Sequence, residues 1–480
     1  MGAACDSGGD CDNTLQCLRN VCIPRCDRAS QCGDGFACRA DGLCIEARGE
    51  AGNSCDSETA CRAGLACKLD PSDADQDGLL QATCSEDRHG HAVGAECSSD
   101  SQCRNGTCAL GRCVDLCGID RDCPPTTTCT RIPRVEADGA AFRGCLPERG
   151  LISWEIPVAA PTADVLVPVP SHALSLSLAM TVDDDSQLVG ASYLTSPPRD
   201  SNVSRVLFSR SADYYANPIR HRAGHGVSVL QIPSSSAARI EGGAYHLTLS
   251  SLRPNGEIGS ATPRLKATVR VMPANATGSL PLHFHFVDFT DYPCSKTAFP
   301  GAGTLNAEIA RREDFFQLYI TDLREVLAGA NVALAPPTYD DLPSKNARDN
   351  IAPEHVRALA SKGLYSSGIN VFFVRSLSPA GSRAIGPTPG PVGIKGTAAS
   401  GIIISLEPLC YRTWKDVARI TAHQLARYMG LFPNIDSAGR LDPIEDSDVT
   451  SDNLMFFSDQ GGTALTPGQR AILSSSPAQQ

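Results

Sequence analysis

Long apolar runs, basic tracts and aromatic residues are all scarce in this sequence. No stretch of the 480 residues approaches the ~18 consecutive apolar residues of a membrane-spanning helix, so no transmembrane segment is expected. Phe, Trp and Tyr together make up 5% of the chain, and no basic tract interleaves them. The first 150 residues hold 24 Asp and Glu against 15 Lys and Arg, with Lys68 the one lysine. That stretch therefore carries −9 of a net charge of −11, which argues against nucleic acid or an anionic membrane as a partner. Cysteine is nearly absent beyond Cys145, where Cys294 and Cys410 are the last two of 22. The opening Met1-Gly2-Ala3-Ala4-Cys5 has no apolar h-region, so the expectation for an exported chain is either a processed or truncated form or a start placed too late. What remains is ordinary for a globular protein, 42% hydrophobic and 20% charged, with a length that predicts about three domains.

Twenty cysteines crowd between Cys5 and Cys145, too many to be kept as thiols in a reducing compartment. They fall into five groups of four: Cys5, Cys11, Cys17, Cys22; Cys26, Cys32, Cys38, Cys44; Cys55, Cys61, Cys67, Cys84; Cys97, Cys103, Cys108, Cys113; and Cys117, Cys123, Cys129, Cys145. The first gap in every group is five residues. Zinc pairs favour gaps of roughly two to four, so two disulfides per module are predicted, with three connectivities open in each. The spacing resembles the small disulfide modules of extracellular stalks and Dickkopf-type domains. Between Cys67 and Cys84, Asp73, Asp75 and Asp77 precede Gly78, a pattern like the first half of a calcium loop. The Glu expected at the twelfth position is replaced by Cys84. A solvated acidic loop is the first reading there, and calcium held by Asp73, Asp75 and Asp77 is the alternative.

Residues 150–277 lose cysteine and turn to short alternating runs of Val, Leu, Ser and Thr, at 151–158, 173–181, 204–208, 227–232, 245–249 and 266–272. Such spacing predicts an antiparallel β-sandwich, broadly like the accessory β-domains of secreted bacterial peptidases. His221 and His225 flank a Gly-containing stretch and read as surface histidines.

Residues 278–480 alternate strands and helices. A strand at 282–289 carries His283 and His285 on one face, and a helix at 313–327 has an apolar stripe of Phe315, Phe316, Tyr319, Ile320, Leu323 and Leu327. Further strands are expected at 331–334, 369–374 and 401–406, with a Gly/Pro-rich loop at 379–401. A second helix covers about residues 414–429, stopped by Gly430. Thr466-Pro467-Gly468-Gln469 starts a last helix with a capping box.

The second helix contains Thr421-Ala422-His423-Gln424-Leu425-Ala426-Arg427-Tyr428-Met429-Gly430-Leu431-Phe432-Pro433, and Asn453-Leu454-Met455 follows downstream. This resembles the metzincin zinc peptidases, the pappalysin-like group in particular. In that family the helix reads His-Glu-x-x-His-x-x-Gly-x-x-His, and a Met-turn follows. The resemblance covers the last segment and implies an α/β metzincin-like domain (278–480), after the disulfide modules (1–149) and the antiparallel β-sandwich (150–277) read above. It also implies that His423 holds the first ligand position and Met455 the Met-turn. Gln424 stands at the general base, and an amide does not take a proton at neutral pH. Arg427 stands at the second ligand and keeps a permanent charge. Pro433 stands at the third and offers no side-chain donor. Zinc is therefore not expected as a cofactor, and His423 is a remnant ligand, hydrogen-bonded instead. Asp436, Asp442, Glu445, His283 and His285 are the candidates for rebuilding a metal site. In an oxidised chain Cys294 and Cys410 are expected to pair. The first reading is thus an exported or cell-surface protein with an inactive peptidase-like domain that binds an extracellular polypeptide or surface partner. An active zinc endopeptidase with a rebuilt site and an adhesion or structural protein are the alternatives.

Overall fold

A computed structural model describes residues 4–480 apart from 6–10, 12–14, 19–20, 27–30, 33–35, 39–42, 56–59, 63–64, 75–78, 87–89, 105–106, 135–139, 199–202, 273–276, 343–348 and 459. Every cysteine is disulfide-bonded. In all five modules the first cysteine pairs with the third and the second with the fourth. The reason lies in a hairpin common to the modules. Its third and fourth cysteines are direct cross-strand neighbours, as in Cys17 opposite Cys22 and Cys129 opposite Cys145. Each then reaches back to the segment before the hairpin, so two bonds pin it from one side. Buried sulfur replaces most of the apolar core that modules this small cannot build. Eleven disulfides point to an oxidising environment. Of the calcium-loop residues, Asp73 ends the backbone of strand Leu65–Ala74. Its side chain, with Asp75 and Asp77, lies outside the described residues.

The chain beyond the modules is rich in strands, gathered in several sheets. Eight of them are β1 (Gly150–Ile156), β2 (Thr162–Val169), β3 (Ala173–Thr181), β4 (Leu188–Thr195), β5 (Val206–Ser209), β6 (Val227–Ile232), β7 (Gly243–Leu252) and β8 (Arg264–Val271). They form two antiparallel sheets, ordered β1-β8-β3-β6 and β2-β7-β4-β5. Val167, Leu178, Leu194, Leu230, Leu247 and Val269 belong to one shared apolar cluster. Leu110, Val114, Ile132 and Phe142 join it, so this core runs across residue 149 into the last cysteine modules. Alternation puts Leu265, Ala267, Val269 and Val271 of β8 in that core. The intervening Lys266 and Arg270 point the other way and bond to Gly393 and Ser474 of the following unit. The sheet is thus covered on both faces, which is why Ser175, Ser177, Gln231 and Thr268 are buried although polar.

His221 corrects the sequence reading. It is 5% exposed, its Nδ1 donates to the Val229 carbonyl, and its Nε2 accepts from the Ala191 amide. Gly190 leaves room for that ring, since a Cβ there would stand 2.9 Å from Nε2. His225 is exposed.

The C-terminal unit holds β9 (Leu282–Phe286), α1 (Ala307–Arg312), α2 (Asp314–Ala328), β10 (Thr338–Asp341), α3 (Pro353–Ala360), β11 (Ile369–Val374), β12 (Ala384–Ile385), β13 (Ile402–Ser405), α4 (Trp414–Tyr428) and α5 (Pro467–Ser475). Its sheet runs β10-β9-β11-β13-β12, parallel except for the antiparallel edge strand β12. The apolar stripe of α2 packs Phe316 and Tyr319 on Phe284 and Phe373 of the sheet. Tyr319 donates to Thr421 of α4, which sets α2 and α4 on the same face. Among the described residues no helix is long and apolar enough to cross a membrane.

Candidate functional site

Helix α4 starts where Thr413 and Asp416 form a reciprocal capping box. It stops at Gly430, whose φ of +111° suits glycine and whose missing side chain admits Gln231. Gln231 of β6 donates to the Met429 carbonyl, so the preceding sheet closes the end of the helix.

His423 faces the segment after the helix. Its Nδ1 lies 2.8 Å from the Leu454 carbonyl. A carbonyl only accepts, so Nδ1 carries the proton and Nε2 keeps its lone pair. Burial, with Arg427 and Arg419 nearby, lowers its pKa to about 4, so the ring is neutral at pH 7. Arg419 also donates to Leu454, Ser458 and Gly462 carbonyls and pins the same segment. Met455 is fully buried in the core beneath it.

One turn beyond His423, the Nε of Arg427 donates to Thr388 Oγ1 at 3.1 Å. Among the described residues no carboxylate lies within ion-pair distance of Arg427, and burial lowers its pKa. Gln424 is 2% exposed, and its Nε2 is a buried donor without a partner.

The Gly/Pro-rich segment 379–401 lies across this face. Gly386 abuts Gln424, where a Cβ would stand 2.7 Å from Nε2. Gly390 donates to the Tyr428 carbonyl, and the Tyr428 hydroxyl donates to the Pro391 carbonyl. A Cβ on Gly390 would lie 2.1–2.2 Å from three atoms of the buried Tyr428 ring. Gly390→Ala is therefore expected to destabilise by about 3 kcal/mol and to release the strap. Thermal unfolding and faster nicking of residues 379–401 by an added protease would show it. Unchanged resistance would mean that the strap does not rest on α4.

The loop between β5 and β6 stands beside Arg427. Tyr214 lies within electrostatic reach of Arg220, Arg222 and Arg427. Arg222 stacks over its ring at 4.4 Å. Arg220 lies 4.8 Å over Tyr215 and 5.7 Å over Phe432, and donates to the Leu441 carbonyl. Tyr215 donates to Asp436.

The donor set does not fit a zinc ion. His423 contributes one nitrogen, while Arg427 adds a fixed positive charge to the same helix face. The candidate replacements are engaged or turned away. Asp436 accepts from Ala438, Arg440 and Tyr215, which hold its pKa at about 2. Asp442 accepts from the Ile444 amide and Ser447 hydroxyl, while burial raises its pKa to about 6. Glu445 is exposed. His283 and His285 stand on the sheet face opposite α4, with His283 bonded to Thr338 and Ser367 and His285 to Asn370. Cys294 and Cys410 form the eleventh disulfide. Among the described residues, the metal-type ligand triads within 4.8 Å are cysteines of the modules, already joined in disulfides.

His423, Gln424 and Arg427 stand out in the sequence, whereas their neighbours Tyr214, Arg222 and Thr388 do not. These lie in loops, where no periodicity marks them.

No family model matches the chain, and no curated protein matches it. Among solved structures, it is similar to an acetyl xylan esterase from the rumen bacterium Butyrivibrio proteoclasticus, at 11% identity and TM-score 0.12, over 40% of this chain and 49% of that one. The chain thus spans about half the length of that esterase. A family two carbohydrate esterase from Cellvibrio japonicus is 8% identical over 67% of this chain and 91% of that one, with TM-score 0.12. Overlaps this poor carry no argument about fold or activity.

Proposed function

We propose that this is an exported, disulfide-rich binding protein whose last unit is a catalytically inactive, metzincin-like peptidase domain. The two antiparallel sheets then read as a β-sandwich placed beside it, and the cysteine modules as a stalk or second binding surface. The carrying observation is Arg427. It occupies the helix position four residues after His423, with its charge unpaired by any described carboxylate. A guanidinium there repels a divalent cation and cannot become a ligand. Three further features support the reading. The sheet is parallel with one antiparallel edge strand. Two long helices share one of its faces. The imidazole keeps its Nδ1 on a backbone carbonyl, the second contact that zinc-bound histidines use.

The edge strand β12 has one free side, which suits an extended polypeptide added as a further strand. Binding without cleavage is the expected outcome. Incubation of the full chain with an unfolded protein substrate and trace zinc is expected to yield no fragments. Cleavage that a chelator stops, and that zinc restores, would overturn the proposal.

A further inference from the structure

We propose that Gln424, Arg427, Tyr214 and Arg222 form a site for the C-terminal carboxylate of an extended peptide. The inference rests on the proposed function in one respect, that the α4 face is a binding cleft. The ligand chemistry comes from the charges and donors themselves.

The site presents an excess of donors. Arg427 uses Nε on Thr388, and no acceptor among the described residues binds its terminal nitrogens. The residue is half-buried. The Tyr214 phenol, neutral at pH 7, lies within electrostatic reach of it. Arg222, exposed and stacked on that phenol, has no described carboxylate partner. Arg220 is different, because Asp442 and Asp436 both act on it and its guanidinium is tied to Leu441. Two arginines therefore remain uncompensated around one phenol.

The second observation is independent of charge. Gln424 is 2% exposed and its Nε2 donor has no partner. A buried donor without an acceptor has lost its water and gained nothing in return, so an incoming oxygen supplies what the free protein lacks. Gln424 and Arg427 are three apart on α4 and thus share a face. A planar two-oxygen acceptor matches an arginine fork beside an amide donor.

The neighbouring edge decides for a peptide. Gly386, against Gln424, directly follows β12, whose outer side is free to pair. A peptide laid along β12 would end its strand beside Gln424. The protein's net charge of −11 opposes general attraction of anions, so a preference for a carboxylate must be local.

The test uses the full chain with its disulfides intact and two probes, acetyl-trialanine with a free carboxylate and the same peptide amidated. Calorimetric titration is expected to show the carboxylate form bound about tenfold more tightly or better. Arg427→Gln should erase that preference, and Arg222→Gln should reduce it several-fold and weaken its salt dependence. Equal affinity for the two peptides, no binding of either, or an unchanged preference in Arg427→Gln would overturn the inference. Should Arg427→Gln fail to fold, Arg222→Gln at its exposed position decides, and an unchanged preference there overturns it. Zinc content on the same preparation separates the two levels. Metal-free protein without a carboxylate preference refutes this site alone, whereas stoichiometric zinc refutes the inactive-peptidase reading.

Discussion

Replacing both Cys294 and Cys410 by serine is expected to lower the unfolding free energy of the C-terminal unit by about 4–5 kcal/mol. The bond closes 116 residues, a span that contains four of the five strands of the sheet, β10 to β13, and α1 to α3. Loop-closure entropy grows with the logarithm of length, so this crosslink restricts the unfolded chain more than any single module bond, whose separations run from 10 to 23 residues. The native contacts around it survive the change. Tyr292 still donates to Leu406, and Trp414 to Ala298. The cost therefore falls on the unfolded side, and the folded spectrum should be unaltered. For a unit of this size the midpoint should fall by about 10–15 °C, as read by calorimetry. A drop worth less than about 1 kcal/mol would mean that the unfolded chain is already compact across this loop.

Acidification from pH 6.5 to pH 4 is expected to cost about 3 kcal/mol net. His221 and His423 are both lowered to about 4 by burial, against an ordinary 6.5. Each is neutral when folded and takes a proton sooner when unfolded. Their stabilisation is complete above the unfolded value and is lost as pH falls toward 4, about 3 kcal/mol per ring. Asp442 works in the opposite sense. Burial raises it from 3.8 to about 6, so its neutral form is favoured in the fold. Its contribution is present at low pH and is lost as pH rises through 6, so acidification returns about 3 kcal/mol. Two losses against one gain leave the net fall. Burial also lowers His172, His283 and His285, which adds to it. Chemical denaturation at stepped pH measures the slope. His423→Gln should flatten it by about one proton's worth. A slope of zero, or one unchanged in that variant, would contradict the buried neutral ring.

Particular residues explain what could be read before the structure. The motif helix was legible because Gly430 stops it and the residues from His423 to Gly430 keep a helical register. The helix with Phe316, Tyr319, Leu323 and Leu327 was legible by its apolar stripe. The five modules announced themselves by spacing, yet their connectivity waited on the hairpins that set the third and fourth cysteines opposite each other. Strand β10 escaped notice because Thr338–Asp341 is polar and sits at a sheet edge, without alternation. Helix α3, with Pro at its first turn, is too short to show a period. His221 was misplaced because the glycines near it suggest a surface turn, whereas Gly190 across the sheet supplies its slot. The strap over α4 was visible as a Gly/Pro-rich loop, but its resting place depends on Gly386 and Gly390, residues that pack by lacking a side chain. The Tyr214–Arg222 wall is a tertiary arrangement of a loop, and no local pattern encodes it.

The inactive-peptidase account turns on whether α4 holds a metal. Elemental mass spectrometry on the full chain, disulfides intact, after dialysis against trace zinc, tests this most directly. The account predicts well below about 0.1 zinc per chain, because one imidazole nitrogen beside a guanidinium does not retain the ion. A value near about one zinc per chain would contradict it and make the α4 cleft a metal centre built from other ligands.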